Sequence, residues 1–156
     1  MPNNRRAAHG RNLRRGRRSE RGRAYLITTV TRDRAPRFMS MGHARAVVMA
    51  MRQAEAEGMC ETLAWVLMPD HLHWLFVLRD GDLSVVVAKV KQVSAREINS
   101  LERRRGASVW QRGFYDRAVR REEDIAAMAR YMVANPLRAG LVQRVGDYPY
   151  WDAAWL

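Results

Sequence analysis

Two apolar, β-prone runs, Thr62–Met68 and His71–Leu78, are separated only by Pro69-Asp70. A connection that short forces a tight antiparallel hairpin. Proline at the second position of a type I turn, followed by aspartate, supplies the chemistry for it. Side chains alternate across a strand. The second run therefore presents Leu72, Trp74, Phe76 and Leu78 on one wholly apolar face, and His71, His73, Leu75 and Val77 on the other. This is a buried strand with two imidazoles at its turn-proximal end.

The remaining elements arrange themselves around that hairpin. Ala24–Thr31 is β-branched and reads as a strand. Ser40 is placed to cap a helix over Met41–Glu57, which Gly58 ends. From Leu83 to about Arg103, apolar residues fall at 83, 86, 87, 90, 93, 98 and 101, a helical period. Val109–Val119 reads as a fourth strand with a weak point at Gly113. A last helix opens on Glu122, Glu123 and Asp124, which suit its positive end, and runs to Ala134 or Asn135, where Pro136 stops it. The order β-α-β-β-α-β-α is the split βαβ pattern of a ferredoxin-like α/β (α+β) fold. It predicts a four-stranded antiparallel sheet with one helix added at the C-terminus.

A chain of 156 residues, 47% of them hydrophobic, holds one packed core. Its charge is lopsided: 28 Lys+Arg against 16 Asp+Glu gives +12, with a pI near 11.2. Only Lys89 and Lys91 are lysines, so 26 of the 28 are arginines. Residues 1–23 carry nine arginines against Glu20, a net +8, and are expected to form an unstructured Arg-rich arm ahead of a folded domain over 24–156. Such an excess attracts a polyanion, most commonly nucleic acid. It equally describes a solvated arm with no dedicated task. The lone Cys60 excludes an internal disulfide and a thiolate metal cage. No run approaches a membrane span, and no apolar stretch follows the basic N-terminus, so the expected compartment is the cytoplasm, next to the nucleoid.

Two features carry chemistry. His71 and His73 lie about 7 Å apart along the strand and can converge on one ion. Two imidazoles leave coordination positions open, as a catalytic ion requires. The plainer reading is a pair of half-exposed histidines beside a turn, each satisfied by its neighbours. On the last helix, Ile125, Met128, Ala129 and Met132 make the apolar stripe, while Tyr131 falls off its edge beside Asp124 and, at i+4, Asn135. Tyrosines at such edges often only cover a core. A phenol ionises near pH 10 in water, so as a nucleophile it needs a nearby base or cation. A metal on the histidines would provide that cation.

Together these residues resemble the HUH single-strand DNA endonucleases, and more narrowly the REP-associated tyrosine transposases. The similar stretches are MPDHLHWLFVL (68–78), KQVSAREIN (91–99), WQRGFYDRAVR (110–120) and YMVANPLRAGLV (131–142), in family order. The resemblance implies that His71 and His73 ligate Mg²⁺ or Mn²⁺. It implies that Tyr131 attacks a DNA phosphodiester, leaving a 5′-phosphotyrosine and a free 3′-OH. Asn135 falls where relatives carry a polar third ligand. The substrate class implied is single-stranded, hairpin-forming repetitive extragenic palindromes, handled by monomers or by homodimers that exchange the tyrosine helix. Lys89, Lys91, Arg112, Arg117 and Arg138 are the candidates for DNA phosphates, and Trp110, Phe114 and Tyr115 for base stacking. Two rivals remain: a non-catalytic hairpin-binding protein on the same fold, and an RNA-binding module.

Overall fold

The computed structural model describes residues 19–154. Five antiparallel strands form one sheet in the order β4-β1-β3-β2-β5: β1 Ala24–Val30, β2 Cys60–Met68, β3 His71–Leu78, β4 Tyr115–Val119 and β5 Trp151–Ala153. The helices are α1 Met41–Ala56, α2 Leu83–Leu101, α3 Glu122–Val133 and the single turn α4 Asn135–Arg138. The ferredoxin-like core is present as expected, but the sheet has five strands rather than four. β5 adds to the free edge of β2 through Ala64, Trp65 and Val66.

The alternation of β3 sorts the two layers. Leu72, Trp74, Phe76 and Leu78 join Tyr25 and Ile27 against α1 and α2 in the larger core. Leu75 lies on the opposite face with Ala24, Ala64, Val66, Met68 and Val119, covered by Ala129, Met132 and Val133 of α3. Burying such clusters, at roughly 25 cal/mol per Å² of apolar surface, fixes which face each helix covers. Cys60 is buried, and that burial, with the nearby Glu55 charge, pushes its thiol pKa up to about 12. Among the described residues, no helix is long and apolar enough to cross a membrane.

Four expectations need correction. First, residues 1–18 of the basic arm lie outside the described residues, but Ser19–Arg23 are bonded to the fold. The amide of Leu83 at the start of α2 donates to Ser19 Oγ (3.3 Å), and Gly22 and Arg23 exchange backbone bonds with Leu78 at 2.7 and 3.0 Å. Second, the strand expected over Val109–Val119 is broken. Trp110 makes an isolated bridge to Thr31, the chain bulges through Gly113 (φ +77°), and regular pairing resumes at Tyr115. Third, Ser40 stands at the N-cap of α1 without a side-chain capping bond. Fourth, Pro136 does not end helical structure. α3 stops at Val133, and Pro136 sits buried in the first turn of α4, where a missing N–H costs nothing.

The bulge before β4 is held by a charge. Lys91 on α2 donates its ammonium to the carbonyls of Gln111 (2.8 Å) and Gly113 (2.5 Å). Replacing Lys91 by methionine leaves both carbonyls short of a donor. Urea unfolding should show a loss of about 1–3 kcal/mol; a variant as stable as the parent would refute the clamp.

Candidate active site on the α3-covered face

β1 lies between β4 and β3, and its register builds the site. Thr28 faces Tyr115 on one side and His73 on the other, while Val30 faces His71, which in turn faces Met68. Both imidazoles thus share the Leu75 face, the one that α3 covers. The rings stand edge-on, centroids 4.8 Å apart at 84°.

Each ring is held through Nδ1. The carboxylate of Asp70, from the hairpin turn, accepts from His71 Nδ1 at 2.7 Å, and Arg34 contacts its other oxygen at 3.3 Å. Partial burial works against the Asp70 charge, yet the His71 bond and the Arg34 guanidinium hold its carboxyl below the usual range. His73 Nδ1 is hydrogen-bonded to Thr28 Oγ1 at 2.8 Å. With both Nδ1 atoms engaged, the Nε2 atoms are the free donors. A carboxylate or hydroxyl behind each ring is the support that metal-binding imidazoles use. The pair therefore fits a divalent ion. Among the described residues, no three His, Cys, Asp or Glu side chains cluster as a ligand set. Neither Thr28 nor Asp70 was singled out in the sequence. Asp70 precedes His71 directly, but the Thr28–His73 bond depends on which strands are neighbours.

Burial above all, with the nearby charges of His71 and Arg138, pushes the His73 pKa down to about 4. The ring is thus neutral, the form a ligand needs, at physiological pH.

Tyr131 lies on α3, the helix that covers this face, and is 66% exposed. The expected stripe holds in part: Ala129 and Met132 are buried, Val133 joins them, and Ile125 and Met128 are half-buried. The α3–α4 elbow turns Arg138 back over the phenol, Cζ 3.7 Å from the ring centroid. Its Nη2 also donates to Asn135 Oδ1 at 2.6 Å. Arg138 is close enough for its charge to act on His73. Arg138 thus joins Tyr131 to Asn135, and α3 packs on the sheet of its own chain. A groove of about 1300 Å³ opens beside α3, with Arg117, Arg120, Asp124 and Tyr131 in its walls. The histidines do not line it.

The expected DNA contacts separate. Arg117 and Arg112 are exposed, Arg117 in the groove. Lys89 pairs at 3.4 Å with Glu57, the residue that follows α1, on the other face of the sheet, and Lys91 is committed to the bulge. Arg138 is stacked on Tyr131. Of the stacking candidates, Trp110 is only 7% exposed. It packs on Phe38 and donates to Ser94, so it is a core residue and not a base platform. Phe114 is packed against the larger core, whereas Tyr115 is 38% exposed in the row of Thr28 and His73.

A match to a family model places the chain in a DNA-processing class of protein. The chain belongs to the IS200-like transposase family, whose model matches residues 22–135. It is similar to the REP-associated tyrosine transposase of Escherichia coli, 22% identical over 130 residues, 83% of this chain and 76% of that one. A Haemophilus influenzae protein provisionally given the same name is 27% identical over 140 residues, 83% of this chain and 79% of its own. A REP-associated tyrosine transposase solved bound to a REP hairpin has the same fold, with a TM-score of 0.71 and 23% identity over 86% of this chain and 79% of that one.

The His73 shift has a measurable consequence. Its folded pKa lies below the unfolded value of 6.5, so the unfolded chain takes up the proton first. The metal-free protein should lose stability as pH falls from 6.5 towards 4. Proton NMR with EDTA present should find one imidazole titrating near pH 4; titration of all of them near 6.5 would contradict the buried placement.

Proposed function

We propose that this chain is a metal-dependent single-stranded DNA nicking and joining enzyme, a transposase-type strand transferase acting on hairpin-forming DNA. One observation carries the reading: the imidazole pair lies on the sheet face that α3 covers, and α3 carries Tyr131 with Arg138 stacked on its ring. Family membership supports DNA processing. The relative solved with a REP hairpin supports a hairpin as partner, and the +12 charge supports a polyanion.

In this reading Tyr131 gives up its proton and its phenolic oxygen bonds to the scissile phosphorus. The P–O3′ bond breaks, and the departing oxygen takes a proton to become a free 3′-OH. The phosphate stays on Tyr131 as a 5′-phosphotyrosine. Because the broken ester is exchanged for another, a 3′-OH can reverse the step and join DNA without ATP. His71 and His73, anchored by Asp70 and Thr28, would hold Mg²⁺ or Mn²⁺ through Nε2, with Asn135 as the further ligand. The ion would supply charge stabilisation at the phosphate and the leaving oxygen. Arg117 and Arg112 would contact phosphates beside the site, and Tyr115 would offer a stacking face.

The test is an adduct. Incubated with a labelled single-stranded hairpin and Mn²⁺, the protein should form a DNA complex that survives SDS. Tyr131→Phe should abolish the adduct while leaving hairpin affinity nearly unchanged. A Tyr131→Phe protein that still cuts would remove the nucleophile assignment. Binding without any adduct, across several hairpins and ions, would favour a non-catalytic hairpin binder.

A further inference from the structure

Tyr131 is exposed, and among the described residues its hydroxyl has no hydrogen-bond partner. A side chain so placed is free to sample several rotamers, and most point its oxygen away from any one phosphate. Catalysis by approach depends on removing that freedom beforehand. Among the described residues, Arg138 is the cation seated on the ring, 3.7 Å from its centroid.

Three observations give that contact a purpose. Arg138 is seven residues from Tyr131, and only the break after Val133, followed by the single turn Asn135–Arg138, folds the guanidinium back onto the ring. The guanidinium is itself fixed, because its Nη2 donates to Asn135 Oδ1 at 2.6 Å. The helix that carries Tyr131 packs through Ala129, Met132 and Val133 on the sheet face that bears His71 and His73.

We propose that Arg138 is the positioning residue for Tyr131, holding the phenol ring by stacking and coupling its placement to that of Asn135. This rests on the proposed role of Tyr131 as nucleophile. A planar guanidinium can stack on a ring and fork to a carboxamide together; a compact ammonium cannot. Arg138→Lys therefore keeps the charge and loses the hold, which separates positioning from simple attraction of phosphate.

The experiment places fluorotyrosine at position 131 and compares the parent with Arg138→Lys by fluorine NMR and by hairpin-adduct kinetics with Mn²⁺. In Arg138→Lys the resonance should narrow and move towards that of free fluorotyrosine. The maximal rate of adduct formation should fall roughly ten- to hundred-fold, with the hairpin concentration for half-maximal rate and the thermal midpoint unchanged. An unmoved resonance, or a moved resonance with an unchanged rate, overturns the proposal. So does a loss confined to hairpin affinity, which would make Arg138 a phosphate contact. If the parent forms no adduct although the resonance responds to Arg138→Lys, the reading of Tyr131 as nucleophile fails and the ring contact alone stands.

Discussion

The alternation of a single strand governs this molecule. β3 is paired on both sides, by β1 and β2, so its register is fixed twice over. Leu72, Trp74, Phe76 and Leu78 commit one face to the core under α1 and α2. His71 and His73 must then emerge on the other face, beneath α3. A slip of one residue would bury both imidazoles in the core under α1 and α2 and turn Trp74 and Phe76 into the smaller space under α3, unmaking both cores. The chemistry is positioned by the same constraint that makes the protein fold.

Register also decides how the rings are aimed. His73 meets Thr28 because β1 pairs with β3 in that phase, and His71 meets Asp70 because the hairpin turn ends there. These bonds orient Nε2 of both rings without a dedicated scaffold. The other half of the site comes from an elbow. Pro136 opens a new turn instead of ending the helix, and that turn returns Asn135 and Arg138 to the side of Tyr131.

The parts of the fold legible in the sequence were those dominated by period and turn chemistry. Whereas β4 is mostly exposed and was legible only as the end of a longer run, the Pro69-Asp70 hairpin, the two long helices and the strands β1, β2 and β3 carry enough apolar residues to declare themselves. β5 does not: three residues at a sheet edge have no period, and their pairing depends on a neighbour 85 or more positions away. The pairing of His71 with His73 was legible because it is local. The orientation of the site was not. Lys91 looked like a cation on a polar helix face, but the carbonyls it clamps become available only once Gly113 forces a bulge. Trp110 looked like a stacking platform until Phe38 and Ser94 enclosed it. Arg138 looked like a phosphate contact because the elbow that turns it onto Tyr131 is a tertiary feature.

The central claim is that the imidazole pair and the phenol form one site on one face of one chain. Paramagnetic broadening tests it without any DNA. Mn²⁺ added in slight excess to dilute protein bearing fluorotyrosine at position 131 should broaden that fluorine signal strongly, and the double replacement His71→Ala, His73→Ala should leave it sharp. A signal that stays sharp in the parent while Mn²⁺ binds, or one broadened equally in the double variant, would contradict the account.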